Sequence, residues 1–247
     1  ADMDVAAEFE SANPGVTIKW EAVPWGTCQD KVINLAIAGD PVDLAYVGSR
    51  TLKGLAENGH IINVDIPQSQ IGMYQPGILN TVSHMGKVWG YPRAFSTKAL
   101  FMNCDLLEQA GVACEGPQTW DELYTMAEAV TNNVPGVAGI GLTGKDFDNT
   151  MHQFLNYLYS NGGQVIDPDT NTITLNSSNA VEALAFYGKL ANVAQEGPLA
   201  YERSQLRDLL NDKKIAMYID GPWGRGTHNE DLDVKTVRIP AGPQGEQ

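Results

Sequence analysis

Strand and helix patterns alternate near the start of the chain, and this alternation restricts the fold more than any other sequence feature. Residues 16–20 and 42–47 have the apolar patterns of short strands. Residues 27–39 and 49–59 have helical patterns, and Gly59 is placed to cap the second helix. Strands and helices that alternate with short connections form right-handed crossovers, with the helices covering a parallel sheet. The pattern predicts an α/β fold.

Two loops in this region are candidate ligand-binding segments. In parallel α/β sheets, ligands bind beyond the carboxyl ends of the strands. The loops that follow the two predicted strands are residues 21–27 and 48–50. They offer Trp25, Ser49 and Arg50 as candidate ligand contacts.

A large aromatic residue also lies on a predicted turn. The strand pattern of residues 215–219 breaks at residues 221–224 into Gly-Pro-Trp-Gly, which places Trp223 after two residues that stop regular structure. Loops on a rigid scaffold tend to carry function, but an indole can also fold back as a lid over the core. This motif alone leaves both interpretations open.

The middle of the chain has clear local signals. Thr119 and Glu122 form a capping box ahead of a helix with apolar residues at helical spacing. A second amphipathic helix begins near Ser178, and residues 151–163 are helical in pattern. Residues 164–175 predict two strands around a polar turn.

The turn of this hairpin has a metal-binding alternative. Asp167, Asp169 and Asn171 have the alternate spacing of a calcium loop. Such a loop continues with Gly at its sixth position and Glu at its twelfth, where this chain has Thr172 and Ser178. We therefore predict a plain hairpin turn and no metal site.

Composition excludes several classes of partner. The 247 residues are 43% hydrophobic and 19% charged, which is typical of a globular protein with one large or two small domains. A net charge of −14 with 16 basic residues disfavours nucleic acid and anionic membranes and favours neutral or weakly charged partners. No apolar run is long enough for a membrane helix, and the first residues given lack the basic-then-apolar pattern of a signal peptide. Either the chain is cytoplasmic or its export signal has been removed.

The cysteines and histidines show no reactive motif. Cys28, Cys104 and Cys114 lack the spacing of a zinc or redox site. Cys104 and Cys114 could pair in an exported protein, but we prefer the interpretation that all three are small, mostly buried apolar residues. The four histidines are scattered, and no known catalytic motif or tuned carboxylate pair occurs. We predict no catalytic residues, metal or cofactor.

Several sequence runs follow one another in a characteristic order: AEFESANPGVTIKWEAV, LAIAGDPVDLAYVG, LAENGHIINVD, GYPRAFSTKALFMNCDLLEQAGV, PQTWDELYTMAEAV and KIAMYIDGPWG. Over nearly the whole chain, this order resembles the extracellular solute-binding proteins of ABC importers. The resemblance is strongest to the carbohydrate-binding group that includes maltose-binding protein.

The resemblance implies a two-lobed α/β protein, each lobe a mostly parallel sheet flanked by helices. The expected boundaries are residues 1–95 for the N-terminal lobe, 96–109 for a crossing, 110–235 for the C-terminal lobe and 236–247 for a return crossing. Family members usually have a strand before the helix that here starts at Asp2, and they continue well past the last segment of this chain. The chain thus resembles a fragment that is incomplete at both ends.

The resemblance also implies a function. The protein would capture a sugar or sugar-like solute in the cleft between the lobes and deliver it to the permease subunits of an ABC transporter. It would be a monomer located outside the cytoplasm, in the periplasm or as a cell-surface lipoprotein, with no nucleic-acid partner and no enzymatic activity. The alternative is a glycoside-acting or other enzyme with an unrecognised site, and a structural or adhesion module is a third possibility.

The same resemblance assigns further ligand contacts. Trp223, with Gly221, resembles the aromatic platform on which a sugar ring stacks. Residues 92–96 resemble the segment between the lobes and supply Arg93, Phe95 and Ser96 as candidates.

A second matching segment supplies Thr150, His152 and Gln153 as candidates. Here His152 replaces an aromatic residue of maltose-binding protein, and residues 48–50 lack that protein's acidic and basic pair. Because of these two differences, maltose itself is not implied as the ligand.

Overall fold

The chain divides into two compact units at the bond between Phe95 and Ser96. The computed structural model describes residues 2–245. Within these residues, no helix has both the length and the apolar character needed to span a bilayer. Each unit is described below by itself.

The first unit is mainly helical, and over residues 2–95 its regular strands are confined to one antiparallel hairpin in which Ser83 pairs with Val88. Its elements are α1 (Asp2–Ala12), α2 (Trp25–Ile37), α3 (Ser49–Glu57), α4 (Gln68–Ile71), α5 (Pro76–Thr81), β1 (Ser83–His84) and β2 (Lys87–Val88). The predicted helices over 27–39 and 49–59 correspond to α2 and α3. Gly59 adopts φ 70° after α3, as predicted for its cap, because a left-handed residue is needed there.

The predicted strands at residues 16–20 and 42–47 are wrong, since neither segment forms a strand. A strand is held by the hydrogen bonds of a neighbouring strand, and neither segment has such a partner among residues 2–245. Their apolar side chains are consequently exposed, including Trp20 and Leu44, the latter 93% accessible.

The second unit is an α/β domain built around a four-stranded sheet. Its elements are β3 (Ala99–Asn103), α6 (Cys104–Gln109), α7 (Trp120–Asn133), β4 (Ala138–Gly141), α8 (Asp148–Ser160), β5 (Ile166–Asp167), β6 (Thr172–Ile173), α9 (Ser178–Leu190), α10 (Arg203–Asn211), β7 (Ile215–Asp220) and β8 (Val234–Val237). Short 3₁₀ turns occupy Ala191–Val193, Pro198–Ala200 and Pro222–Gly226.

The central sheet has the strand order β4-β7-β3-β8 and is mixed. β4 pairs with β7 in parallel, whereas β3 is antiparallel to both β7 and β8, with Phe101 opposite Tyr218. The expected mostly parallel sheet is therefore not found in this unit. The reason is that β3 runs opposite to β4, β7 and β8 and lies between β7 and β8, so both of its pairings are antiparallel.

Both faces of this sheet are covered by apolar side chains. Leu100 and Met102 of β3 join a core with helices α6 to α9, while Phe101 on the opposite face packs with Leu206 and Leu210 of α10. Every residue of β7 is buried, as expected of a central strand covered on both faces. This rigid strand ends at Asp220 and thereby positions the turn that carries Trp223.

Two segments that were expected to cross between lobes belong to the second unit over their described residues. Residues 96–109 contribute β3 and α6. Residues 236–245 contribute the end of β8 and then contact the helices, where the Gly242 N–H donates to the Ser160 carbonyl and the Gln244 N–H to the Asn161 side chain.

The local predictions for the middle of the chain are confirmed. The Thr119 hydroxyl accepts from the Glu122 N–H, and the Glu122 carboxylate accepts from the Gln118 N–H at the start of α7. β5 and β6 form the predicted hairpin. In its turn the Asp167 carboxylate accepts the N–H groups of Asp169 and Thr170.

Cys104 and Cys114 form a disulfide that links the start of α6 to the loop after it. The preferred interpretation of three unpaired cysteines is therefore wrong for these two. Ten residues of sequence separate them, and the short helix between them turns the chain back so that the two thiols meet. Cys28 is free and half-buried.

Candidate functional site

Trp223 lies partly exposed on the turn that follows the central strand β7. Its indole is 44% accessible, so the side chain is not a buried lid over the core. The six-membered ring lies against Gly221, where a Cβ would come within 2.4 Å of two ring atoms. Pro222 occupies the first position of the 3₁₀ turn, where its missing N–H costs nothing. The sequence Gly-Pro-Trp thus places an indole flat against the backbone at the end of the strand.

The Asp220 carboxylate fixes the orientation of this indole through a hydrogen bond. Asp220 is fully buried, and its Oδ1 accepts from the Trp223 Nε1–H at 2.6 Å and from the Gly221 N–H at 2.7 Å. The Arg203 guanidinium, at the start of α10, donates from Nη1 to both carboxylate oxygens at 3.0 and 3.2 Å. A buried carboxylate is stable only when it is paired and hydrogen-bonded, and these donors meet that requirement.

Tyr218 and His228 extend this network. The Tyr218 hydroxyl donates to Asp220 Oδ2 at 3.2 Å and lies 2.8 Å from His228 Nε2. Because the single hydroxyl proton is given to Asp220, His228 donates from Nε2 to the tyrosine oxygen. Burial raises the pKa of Tyr218, with a further contribution from Asp220. Burial lowers the pKa of His228, and Asp220 partly opposes this.

Two cations lie over the ring of Trp223. The Lys98 Nζ is 4.3 Å and the Arg203 Cζ 5.5 Å from a ring centroid, both within the range of a cation–π interaction. Burial lowers the pKa of the Lys98 ammonium, Asp220 opposes this effect, and Arg203 adds to it. The exposed indole and both cations therefore form one cluster.

A small recess opens beside this cluster. It encloses about 10 Å³, room for one water-sized group. Its wall contains two cations, one imidazole, three amides and one apolar side chain, and no carboxylate: Lys98, Asn149, His152, Gln153, Asn156, Arg203 and Ile219.

Gln153 is the most buried polar member of this wall, at 4% accessibility. Its Oε1 accepts from the Thr143 N–H at 3.2 Å, which determines which end of the amide faces Thr143. The Tyr187 hydroxyl lies 3.2 Å from the same oxygen but donates to the Thr143 carbonyl at 2.5 Å. Within the described residues, Nε2 is left as a buried donor without an acceptor. Burial raises the pKa of Tyr187 to about 12, so its hydroxyl remains a donor at neutral pH.

The structure brings together four of the predicted site residues in the second unit. Trp223 and Gly221 lie against each other on the turn after β7, and His152 and Gln153 line the recess beside it. Thr150 lies outside the recess, and its hydroxyl donates to the Lys145 carbonyl at 2.6 Å. Ser96 is exposed at the start of this unit.

A second cluster lies in the first unit. The Trp25 ring is 5.7 Å from the Tyr46 ring, and the Arg93 guanidinium lies 4.7 Å from the centroid of Tyr46. Trp25 and Arg50 both contact Gly48, where a Cβ would be 3.6 Å from the Trp25 ring and 2.9 Å from Arg50 Nη1.

Gln29 of α2 connects the two predicted ligand loops of this unit. Its Oε1 accepts from the Gly48 N–H, and its Nε2 donates to the Trp25 carbonyl. Ser49 is the first residue of α3, and Phe95 is exposed at the end of the unit. Trp25, Arg50 and Arg93 are thus gathered around Tyr46 and Gly48.

Sequence reasoning missed several residues of both clusters. Tyr46, Lys98 and Arg203 carry no local signal, because their roles depend on which ring they meet in the folded chain. Asp220 does have a signal. It is an acidic residue at the end of an otherwise apolar strand, immediately before the Gly-Pro-Trp turn.

Comparisons with known proteins agree with this architecture. Residues 1–246 match the sequence profile of the bacterial extracellular solute-binding proteins, and the chain belongs to this family. The predicted family and the α/β fold class are confirmed, apart from the expected mostly parallel sheet. The family is extracellular by its description, which confirms the predicted location outside the cytoplasm, while a lipid anchor stays a prediction.

Individual relatives are similar to this chain at moderate identity. A protein of Brucella abortus, described as a binding protein, is 29% identical over 98% of this chain and 60% of its own length. The maltodextrin-binding protein of Bacillus subtilis is 27% identical over 85% of this chain and 50% of its own length. The chain thus spans 60% or less of these curated relatives.

A solved structure shows the same fold. The ABC transporter solute-binding protein of Thermotoga lettingae, bound with α-D-tagatose, superposes with a TM-score of 0.78 at 26% identity. The match covers 90% of this chain and 58% of that protein.

Proposed function

We propose that the full-length protein is the substrate-binding component of an ABC transporter and captures a sugar or sugar-like solute. The observation that carries this proposal is the partly exposed indole of Trp223, held in one orientation by Asp220 beside a recess lined with polar side chains. A sugar ring presents C–H groups that stack on an indole and hydroxyls that need a few oriented polar partners. A platform next to amide and cationic donors supplies both.

The relatives support the same ligand class. The Bacillus subtilis relative is a maltodextrin-binding protein, and the Thermotoga lettingae relative was solved with α-D-tagatose. In the first unit, the Trp25, Tyr46 and Arg93 cluster offers further aromatic surface. We propose all eleven predicted site residues as ligand contacts, with Trp223 and Gln153 the best supported by geometry.

The proposal includes the wider role of the protein. The full-length protein delivers its ligand to permease subunits, acts as a monomer and has no enzymatic activity. The two compact units are its N-terminal and C-terminal lobes. The homologues are solute-binding proteins, which favours transport over the enzyme alternative.

Isothermal titration calorimetry on the full-length protein tests the ligand class with a panel of mono- and oligosaccharides. For any sugar that binds, Trp223→Ala should weaken binding about tenfold to hundredfold, since stacking and lost apolar contact together contribute about 2–3 kcal/mol. The fold should be retained because the indole is partly exposed.

Trp20→Ala is the matched control, because Trp20 is also an exposed indole but is not a proposed contact. It should leave sugar affinity unchanged. Failure of every sugar to bind, or equal affinity of the Trp223→Ala variant and the unmodified protein, would contradict the proposal.

A further inference from the structure

The wall of the recess beside Trp223 has an unusual charge for this protein. The chain carries a net charge of −14, yet the recess wall contains Lys98 and Arg203 and no carboxylate. Asp220 is fully buried behind the indole and accepts hydrogen bonds from Arg203, Tyr218, Gly221 and Trp223. Its charge is already satisfied by these donors.

Lys98 is the least satisfied of these charged groups. Within the described residues, its ammonium forms no ion pair. It lies over the face of the Trp223 ring in a cation–π contact. Asp148 and Asp220 act on it electrostatically without lying within ion-pair distance. A partly buried ammonium that rests on a ring is available to an anionic ligand atom at the same face.

Gln153 adds an independent observation. Its Oε1 accepts from the Thr143 N–H, which leaves the buried Nε2 as a donor without an acceptor in the described part of the chain. A buried donor without a partner is costly, and the cost is removed when a ligand supplies the acceptor. Lys98, Arg203 and Gln153 all line this one small space.

An acceptor-only group fits such a space better than a hydroxyl, because a hydroxyl brings a proton of its own. A carboxylate accepts several hydrogen bonds and interacts most strongly with cationic donors. The recess has room for one water-sized group, which suits a single carboxylate oxygen. The amide oxygens of Asn149 and Asn156 remain as acceptors for neighbouring sugar hydroxyls.

We propose that the recess formed by Lys98, Arg203 and Gln153 is a subsite for the carboxylate of an acidic sugar, such as a uronic acid, whose ring stacks on Trp223. This inference rests on the proposed sugar-binding function and names the substrate class within it.

The test compares sugars that differ only at C6. Galacturonate and galactose, and glucuronate and glucose, are titrated as monosaccharides and as disaccharides into the full-length protein at constant ionic strength. The uronates should bind at least about tenfold more tightly than their neutral counterparts, the effect of a charge-assisted hydrogen bond. Galactose 6-phosphate tests whether a larger anion is accepted, and tighter binding of this phosphate would overturn the carboxylate assignment.

Lys98→Met is the decisive variant, since it keeps the length of the side chain and removes the charge. It should abolish the preference for the uronate over the matching neutral sugar, measured as the ratio of the two affinities within the variant. Lys189→Met is the matched control, because the Lys189 Nζ lies 4.1 Å from the ring centroid of Tyr124, away from the recess. It should keep the preference. If Lys98→Met lowers the melting temperature more than the control does, Lys98→Arg replaces it and should retain the uronate preference.

The outcomes separate this inference from the proposed function. Equal binding of uronates and neutral sugars, or a uronate preference that survives in Lys98→Met, would overturn the carboxylate subsite and leave sugar binding intact. Absence of binding to every sugar, acidic or neutral, would overturn both.

Discussion

The indole N–H of Trp223 donates to the fully buried Asp220 carboxylate over 2.6 Å, so a buried charge determines the orientation of an exposed ring. Asp220→Asn leaves Arg203 without its ionic partner. Removing one member of a buried pair costs about 3–5 kcal/mol, and we expect a loss of this size in the free energy of unfolding. Urea denaturation measures it.

The control for this prediction lies on the same helix as Arg203. Arg207 and Asp208 form an exposed ion pair at 2.9 Å, and exposed pairs contribute roughly 0–1 kcal/mol. Asp208→Asn should therefore cost far less. Equal stability of the two variants would show that Asp220 does not support the turn.

Gly221→Ala tests whether the position of the Trp223 indole requires a residue without a side chain at position 221. The new Cβ would lie 2.4 Å from the Trp223 ring, so the ring must move. If Trp223 is the platform, ligand affinity should fall by up to about tenfold, the value of a stacking contact, as measured by calorimetry. Gly226→Ala, in the same 3₁₀ turn and with open space around its Cβ, should have no effect. An equal effect of both changes would contradict this arrangement.

The disulfide between Cys104 and Cys114 should stabilise the second unit. It closes a short loop, for which the chain-entropy estimate is about 2–3 kcal/mol. We expect the free energy of unfolding of the double variant Cys104→Ser, Cys114→Ser, measured by urea denaturation, to be lower by this amount. The unmodified protein should show the same loss under reducing conditions. Cys28→Ser keeps the disulfide, so it should match the unmodified protein in stability and lose the same amount under reducing conditions. A thiol assay that found three free cysteines in the native protein would rule the disulfide out.

His228 should make stability depend on pH. Burial lowers its pKa in the folded state below the unfolded value of about 6.5, so the unfolded chain binds the proton more readily. The stability that neutral His228 provides is complete above pH of about 6.5 and is lost as the pH falls below this value. The groups that face it are Tyr218, Asp220 and Arg207.

Melting temperatures of the unmodified protein and of His228→Gln, measured between pH 7.5 and 5, test this dependence. The variant should lose less stability on acidification, since other titrating groups act equally on both proteins. Parallel curves for the two proteins would show that His228 does not contribute.

Short-range rules predicted much of the fold. The capping box of Thr119 and Glu122, the glycine cap at Gly59 and the hairpin turn at Asp167 depend on groups a few residues apart, and each is found in the structure. The turn after β7 was also predictable, because Gly221 and Pro222 stop a strand wherever it lies. The order of the motifs along the chain was sufficient to identify the family.

Longer-range features were not predictable in this way. The patterns at residues 16–20 and 42–47 have the composition of strands but no strand partner, and only the folded chain shows this. Likewise, the mixed sheet depends on β3, which runs opposite to the other three strands and whose direction no periodicity reveals.

The sequence by itself determined that an indole follows a buried strand on a Gly-Pro turn, because the conformation of a turn depends mainly on the residues within it. Only the tertiary structure decided what surrounds that indole. Lys98 precedes β3 and Arg203 begins α10, and the two meet at Trp223 because both elements pack against β7. Such a meeting of distant residues is set by the packing of helices and strands around a shared core, which no short stretch of sequence specifies.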